Sequence, residues 1–346
     1  MSDATERLGN SDYRDCTSVS PQCPVEGTLY GDYFNEPANI FFAIVFGLAT
    51  VTQLWLGIKT KTWSFTAWIM CGVIFECVGY VGRVLLSKNP WDDNAQRIQL
   101  VCLILGPTFI AAAISVTFKH IFIYAGRQYS IVRPKWVPYI FIGTDLFAIL
   151  VQVVGGVVAA TAIGNSSNTT IFDVATAILT TGVAFQAANM VFCGGFVVIF
   201  FRRYQRAKKH KTEIPGEETT YHRAKSAAAG DPAARREVRN FRVFTWTLAL
   251  AYIAIIVRCI YRIPEMASGW GSELMQDEVT FLTLDGMMIA LAILCLTFVH
   301  PGVFFPFMRK THSADQNTSS GEASTPSKSE KFWRRKQRQE PAAEES

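Results

Sequence analysis

Seven long apolar runs separated by shorter polar segments dominate the chain, at residues 37–56, 65–86, 98–124, 136–163, 171–201, 241–263 and 279–305. The first contains no Lys, Arg, Asp or Glu, and at about 1.5 Å of rise per residue its length matches a hydrocarbon core of about 30 Å. Several others exceed the roughly 20 residues that a span requires, so tilt or overhang into the headgroups is expected, above all for 171–201. Barrel strands would alternate apolar and polar residues with period two, and no such alternation runs through these segments. The pattern predicts an all-α polytopic membrane protein with seven transmembrane helices.

Composition excludes the soluble alternative: half of the 346 residues are apolar and 18% are charged, against about 25% charged in soluble domains. The net charge of +5 says little, but the placement of Lys and Arg orients the bundle. Lys59 and Lys61 separate the first two runs, Arg127, Arg133 and Lys135 the third and fourth, and a dense basic set from Arg202 to Arg242 follows the fifth. The tail adds Arg309, Lys310, Arg334, Arg335, Lys336 and Arg338. Residues 1–36 carry seven acids against Arg7 and Arg14, 164–170 are uncharged, and 264–278 are acidic. The positive-inside rule then places the N-terminus outside and the C-terminus in the cytoplasm. Asn165 and Asn168 head two glycosylation sequons in the loop after the fourth run, on the side assigned to the exterior. Cys16 and Cys23 lie in the polar N-terminal segment, where an oxidising exterior would let them pair. The other six cysteines fall in apolar runs and read as small buried hydrophobes.

Three regions result: an extracellular segment 1–36, a seven-helix domain 37–306 with a basic cytoplasmic loop 202–240, and a disordered cytoplasmic tail 307–346. Residues 1–36 lack the apolar core of a signal peptide, so the first span starts translocation itself. The tail is rich in Ser, Thr and acids and poor in large apolar residues over 311–331. The basic loop and tail fit anionic inner-leaflet lipid, or equally a solvated linker that only sets topology. Membrane lipid is the partner expected throughout, and nucleic acid is not.

A charge at mid-bilayer costs at least about 2.5–3.5 kcal/mol, so intramembrane ions mark the places to look for function. Glu76 and Arg83 stand seven residues apart on one face of the second span, with Gly79 and Gly82 between them to admit a neighbour. Glu76 lies about 16 Å from the cytoplasmic start of its helix. Arg258, Arg262 and Glu265 sit near the outer end of the sixth span, and Glu278 and Asp285 on the seventh. These residues form an expected network in which Arg83, Arg258 and Arg262 are neutralised by some of Glu76, Glu265, Glu278 and Asp285. Such a network either locks helices two, six and seven together or lines an outward cavity that binds a polar headgroup or carries a proton. Asp145 and Gln152 share a face of the fourth span, Lys119 of the third is a conceivable partner for Asp145, and Gln186 and Asn189 stand mid-depth in the fifth. Glu76, Asp145, Gln152 and Asp285 are the candidates for substrate binding or proton coupling. No HxxxH or HExxH pair occurs among His120, His300 and the rest, so neither metal nor other cofactor is expected.

The run from Glu76 through Gly79, Tyr80, Gly82 and Arg83, then Gly106-Pro107 with Ala111–Ala113, then Asp145, Gln152 and Gly155-Gly156, resembles the core blocks of the fungal RTA1-like proteins, the lipid-translocating exporter family. Arg258, Tyr261, Arg262, Glu265, Gly269, Glu278, Asp285 and His300-Pro301 are similar to that family's last block, and the likeness covers about 33–306. Ser115, Val116 and Lys119 in the third span, and Thr283 and Leu284 before Asp285, depart from it, which bears on substrate rather than fold. The resemblance implies a membrane transporter or exporter of sphingoid long-chain bases, other amphipathic lipids or toxic small molecules, contributing to stress resistance. No GxxxxGK[ST] motif supports ATP-driven pumping by this chain alone. The alternative is a seven-helix receptor or stress sensor signalling through the basic loop and tail. An enzyme is not expected, since the His clusters of a zinc hydrolase are missing, and a retinal pigment is excluded by the absence of Lys from the last span. The plasma membrane is the default location, with internal membranes next.

Overall fold

The computed structural model describes residues 16–28, 30–126, 136–163, 169–209, 230–268 and 272–305. Its helices are α1 (Glu36–Thr60), α2 (Trp63–Lys88), α3 (Asp93–Ala125), α4 (Val137–Ile163), α5 (Thr169–Lys209), α6 (Pro232–Ala267) and α7, which runs Glu278–Phe281, a π-helical stretch Leu282–Met287, and Met288–Phe298. Seven helices are long and apolar enough to cross a membrane, and the described residues form no strand.

Several helices begin outside the apolar runs because caps, not hydropathy, decide where a helix starts. The Asp92 carboxylate accepts from the amides of Asn94 and Ala95, so α3 begins at Asp93 rather than near 98. Asp231 accepts from the Ala233 amide and is followed by Pro232, so α6 begins well before 241. At its other end α5 carries on through Arg202 and Arg203 to Lys209. The basic segment 202–240 is therefore helical at both flanks, and residues 210–229 within it lie outside the described residues.

α3 sits at the centre: 72% of its apolar window is buried, against 28% for α1 and for α5. Small residues make this possible, since Ala111, Ala112, Ala113, Ser115 and Thr117 let surrounding helices approach closely. α2 packs along α3 through Gly79, which lies against Leu103, and Gly82, which lies against the Ala95 carbonyl and Gln99. α4 and α5 form a second tight pair, joined to the rest through α3 and α6.

Residues 16–28 and 30–35 lie over one end of the bundle. The Cys16–Cys23 disulfide closes a small ring there. The Asn89 side-chain amide donates to the Thr17 carbonyl at 2.9 Å and the Trp91 indole to the Cys23 carbonyl at 3.3 Å, which ties the ring to the α2–α3 connection. We call this the capped end. At the opposite end α1 turns into α2 through Lys61, whose left-handed φ of 56° ends α1.

Candidate functional site

The charged residues of α2, α6 and α7 converge near the capped end. Arg83 donates from Nη2 to Glu278 Oε1 at 3.2 Å and from Nε to Asn39 Oδ1 at 2.8 Å. Asn39 in turn donates to Glu278 Oε1 at 2.9 Å, so α1 joins the lock. The Arg83 guanidinium also lies between the rings of Phe34 and Phe281, 4.0 and 4.2 Å from their centroids. A planar cation is thus bonded through Nε and Nη2 and stacked on both faces by aromatic rings.

About two turns further along α7, Asp285 receives two arginines. Arg262 Nε donates to Oδ1 at 2.9 Å, and Arg258 Nε stands 3.0 Å from the same oxygen, poorly aligned for a hydrogen bond. Arg262 also reaches Glu265 Oε2 at 3.1 Å. Arg258 Nη2 donates to the Leu103 carbonyl at 2.6 Å. That carbonyl is available because Pro107, four residues on within α3, has no N–H to offer it. Asp285 is presented by the π stretch of α7, where the backbone register shifts by one residue. Gly286 beside it has no room for a Cβ, because the Tyr80 hydroxyl occupies that place.

Three arginines thus meet three carboxylates, Glu278, Asp285 and Glu265, and Glu76 is left over. Its side chain is 0% exposed and neither carboxyl oxygen has a hydrogen-bond partner among the described residues. It presses on α3 where Gly106 makes space, since a Cβ there would stand 2.5 Å from Oε1. Arg258, Asp285 and Arg262 are the charged groups that act on it. One turn along α2, the buried Tyr80 hydroxyl is likewise without a partner, with its ring stacked 5.0 Å from Phe42.

A separate polar set joins α3, α4 and α5. Gln152 donates to Gln186 at 3.1 Å, and Gln186 to the Thr108 hydroxyl at 2.9 Å, next to Pro107. Asp145 accepts from Asn189 at 2.6 Å; no Lys119–Asp145 ion pair forms among the described residues, because the α4–α5 packing brings an amide to that carboxylate first. A cavity of about 30 Å³ lies between Ile104, Gln152, Leu179, Gln186, Arg258 and Arg262. A second, of about 10 Å³, lies between Tyr30, Arg83, Gln99, Leu103, Arg262 and Glu265. Each has room for about one or two waters, so no headgroup fits either as it stands. His300 is a structural cap, its Nδ1 accepting from the Gly302 amide at 3.1 Å. Asn165 and Asn168, and all of 306–346, lie outside the described residues.

The sequence pointed to Arg83, Arg258, Arg262, Glu265, Glu278 and Asp285, which the structure brings together. It missed Asn39, the Leu103 carbonyl and the aromatic clamp of Phe34 and Phe281. Two had a signal: Asn39 is one of two amides, with Gln53, in the first apolar run, and a mid-span proline frees the carbonyl four residues before it. The clamp had none, because aromatics are common at membrane interfaces.

Fold and site define a seven-span helical membrane protein whose core is locked by buried ion pairs. Residues 69–308 match the family described as RTA1 like protein, and the chain belongs to it. It is similar to the sphingoid long-chain base transporter RSB1 of Saccharomyces cerevisiae, at 26% identity over 86% of this chain and 81% of the relative. Protein RTM1 of the same species is 26% identical over 74% of this chain and 76% of its own length. Protoporphyrin uptake protein 1, also from Saccharomyces cerevisiae, is 25% identical over 68% and 67%. No solved structure matches.

Proposed function

We propose that the chain translocates or exports amphipathic lipids with a cationic headgroup, sphingoid long-chain bases foremost, and is not an enzyme. The observation that carries this reading is Glu76: a carboxyl buried at the bundle centre, beside a network of arginines, with no partner of its own. The arginines and the other carboxylates of the lock are paired with one another, and an intramembrane carboxyl without a partner is a candidate ligand site. An ammonium headgroup supplies the missing partner, and its hydrocarbon chain suits the apolar helix faces around it. The similarity to a relative named as a sphingoid base transporter supports the same substrate class.

Since the cavities are water-sized, the substrate enters only when helices part. Two irregular elements meet where they would do so, the proline of α3 and the π stretch of α7, joined by Arg258 bridging the Leu103 carbonyl and Asp285. Both can flex without losing a full helical ladder. The capped end faces outward in this reading, with the basic flanks of α5 and α6 on anionic inner-leaflet lipid, in the plasma membrane. The test is efflux of a labelled long-chain base from cells with and without the protein. Efflux should rise with expression and fall at least tenfold for Glu76→Gln; equal efflux under strong expression refutes the assignment.

A further inference from the structure

The N-terminal segment does more than follow the disulfide ring. Residues 30–35 cross the capped end directly over the ion lock, and Phe34 and Asn35 contact it directly. The Tyr30 hydroxyl accepts from Gln99 of α3 at 2.5 Å. Phe34 covers one face of the Arg83 guanidinium, and Tyr30 and Phe34 pack on each other with ring centroids 4.7 Å apart. The Asn35 amide donates to Glu278 Oε2 at 2.7 Å, on the carboxylate whose other oxygen holds Arg83. Gly31, with φ of +70°, turns the chain against the Gln276 side chain just before α7. Tyr30 is thereby one wall of the crevice that runs past Arg83, Arg262 and Glu265 to Leu103, where Arg258 is bonded.

We propose that residues 30–35 are a strap that shuts this crevice, and that its release opens the polar route from the capped end to the ion lock and Glu76. Its design fits a closure rather than a permanent brace. Upstream it is tethered by the Cys16–Cys23 ring on the α2–α3 connection, and downstream it runs straight into α1. In the part between, Tyr30 meets Gln99 and Phe34 meets Arg83. Phe34 can leave Arg83 without unpairing it, because Glu278, Asn39 and Phe281 remain. An ammonium drawn to Glu278 would compete with the Asn35 amide and so loosen the strap as it arrives.

The proposal rests on the transport reading, and the test separates the two. Gly31→Cys and Gln276→Cys are made singly and together in the full chain, and joined in the membrane by a short bis-maleimide, which leaves the native disulfide untouched. Efflux of a labelled long-chain base should be alike in both single variants and the unreacted double variant, and at least tenfold lower after reaction in the double variant alone. Unchanged efflux in the reacted double variant overturns the strap. If wild type and single variants also fail to transport, it is the transport reading that falls. Because Gly31→Cys carries left-handed backbone strain, hydrogen exchange in the unaltered protein gives a second measurement. Amides of 30–35, Asn35 above all, should exchange at least threefold faster with the long-chain base present; equal or slower exchange overturns the proposal.

Discussion

Asp285 and Glu76 are both fully buried carboxyl groups, yet their circumstances are opposite. Asp285 is held by two guanidinium groups, so Asp285→Ala leaves Arg258 without a counter-ion and Arg262 with Glu265 alone, and should cost about 3–5 kcal/mol, read as a large drop in unfolding temperature in detergent. Glu76 has no partner to lose. Glu76→Gln should therefore leave stability within about 1 kcal/mol of wild type while transport collapses; a comparable destabilisation in both variants would make Glu76 structural. Tyr30 supplies a prediction in pH. Burial pushes its phenol above the ordinary value of 10.0, with the nearby Arg83 opposing that rise. A group whose folded value is raised contributes stability below its unfolded value and loses it as pH rises through the folded one. Strap docking should accordingly hold at neutral pH and weaken above about pH 10, seen as faster exchange at Asn35, and Tyr30→Phe should abolish that dependence. That ions lay inside the spans was readable from single residues. That Glu76, of the four carboxyl groups near the three arginines, lacks a partner among the described residues was not, because pairing depends on depth and rotation of other helices.

Among the elements, α7 departs furthest from a regular helix, and its departure places the ion lock. Gly286 lets the Tyr80 hydroxyl abut the π stretch that presents Asp285. Gly286→Ala should displace Tyr80 or straighten the turn, costing about 1–3 kcal/mol in the manner of an overpacked core. Tyr80→Phe, which removes the obstructing oxygen, should recover most of that loss in a double-variant cycle; additive losses would mean the two residues do not meet. The π turn had no signature in hydropathy, since Leu282–Met287 reads as ordinary span. Pro107 was visible, but its meaning was not: only α6 beside α3 shows that the freed Leu103 carbonyl is taken by Arg258. Helix starts were likewise undershot, because apolar length follows the bilayer whereas helix length follows caps such as Asp92 and Asp231.

For the whole molecule, seven spans and their chain order follow from hydropathy, because a bilayer leaves a long apolar segment little alternative to a helix that satisfies its own backbone. The orientation with the N-terminus outside rests on charge asymmetry, and predicts that Asn165 or Asn168 carries glycan. Endoglycosidase treatment should increase gel mobility, and the double variant Asn165→Gln with Asn168→Gln should remove the shift; an unglycosylated wild-type chain expressed in fungal cells would count against that topology. What the sequence determined by itself, then, is everything that a bilayer dictates locally: helical class, span number, and the presence of charges too costly to be idle. What only the tertiary structure decided is how those charges are shared. The same arginines and carboxylates could have paired in several ways, and the choice was made by contacts distant in sequence: the close approach of α2 to α3, the π turn of α7, and the N-terminal strap folded back over Arg83. Ion pairs form by proximity in space, and no residue's spacing along one helix specifies which face of another it will meet.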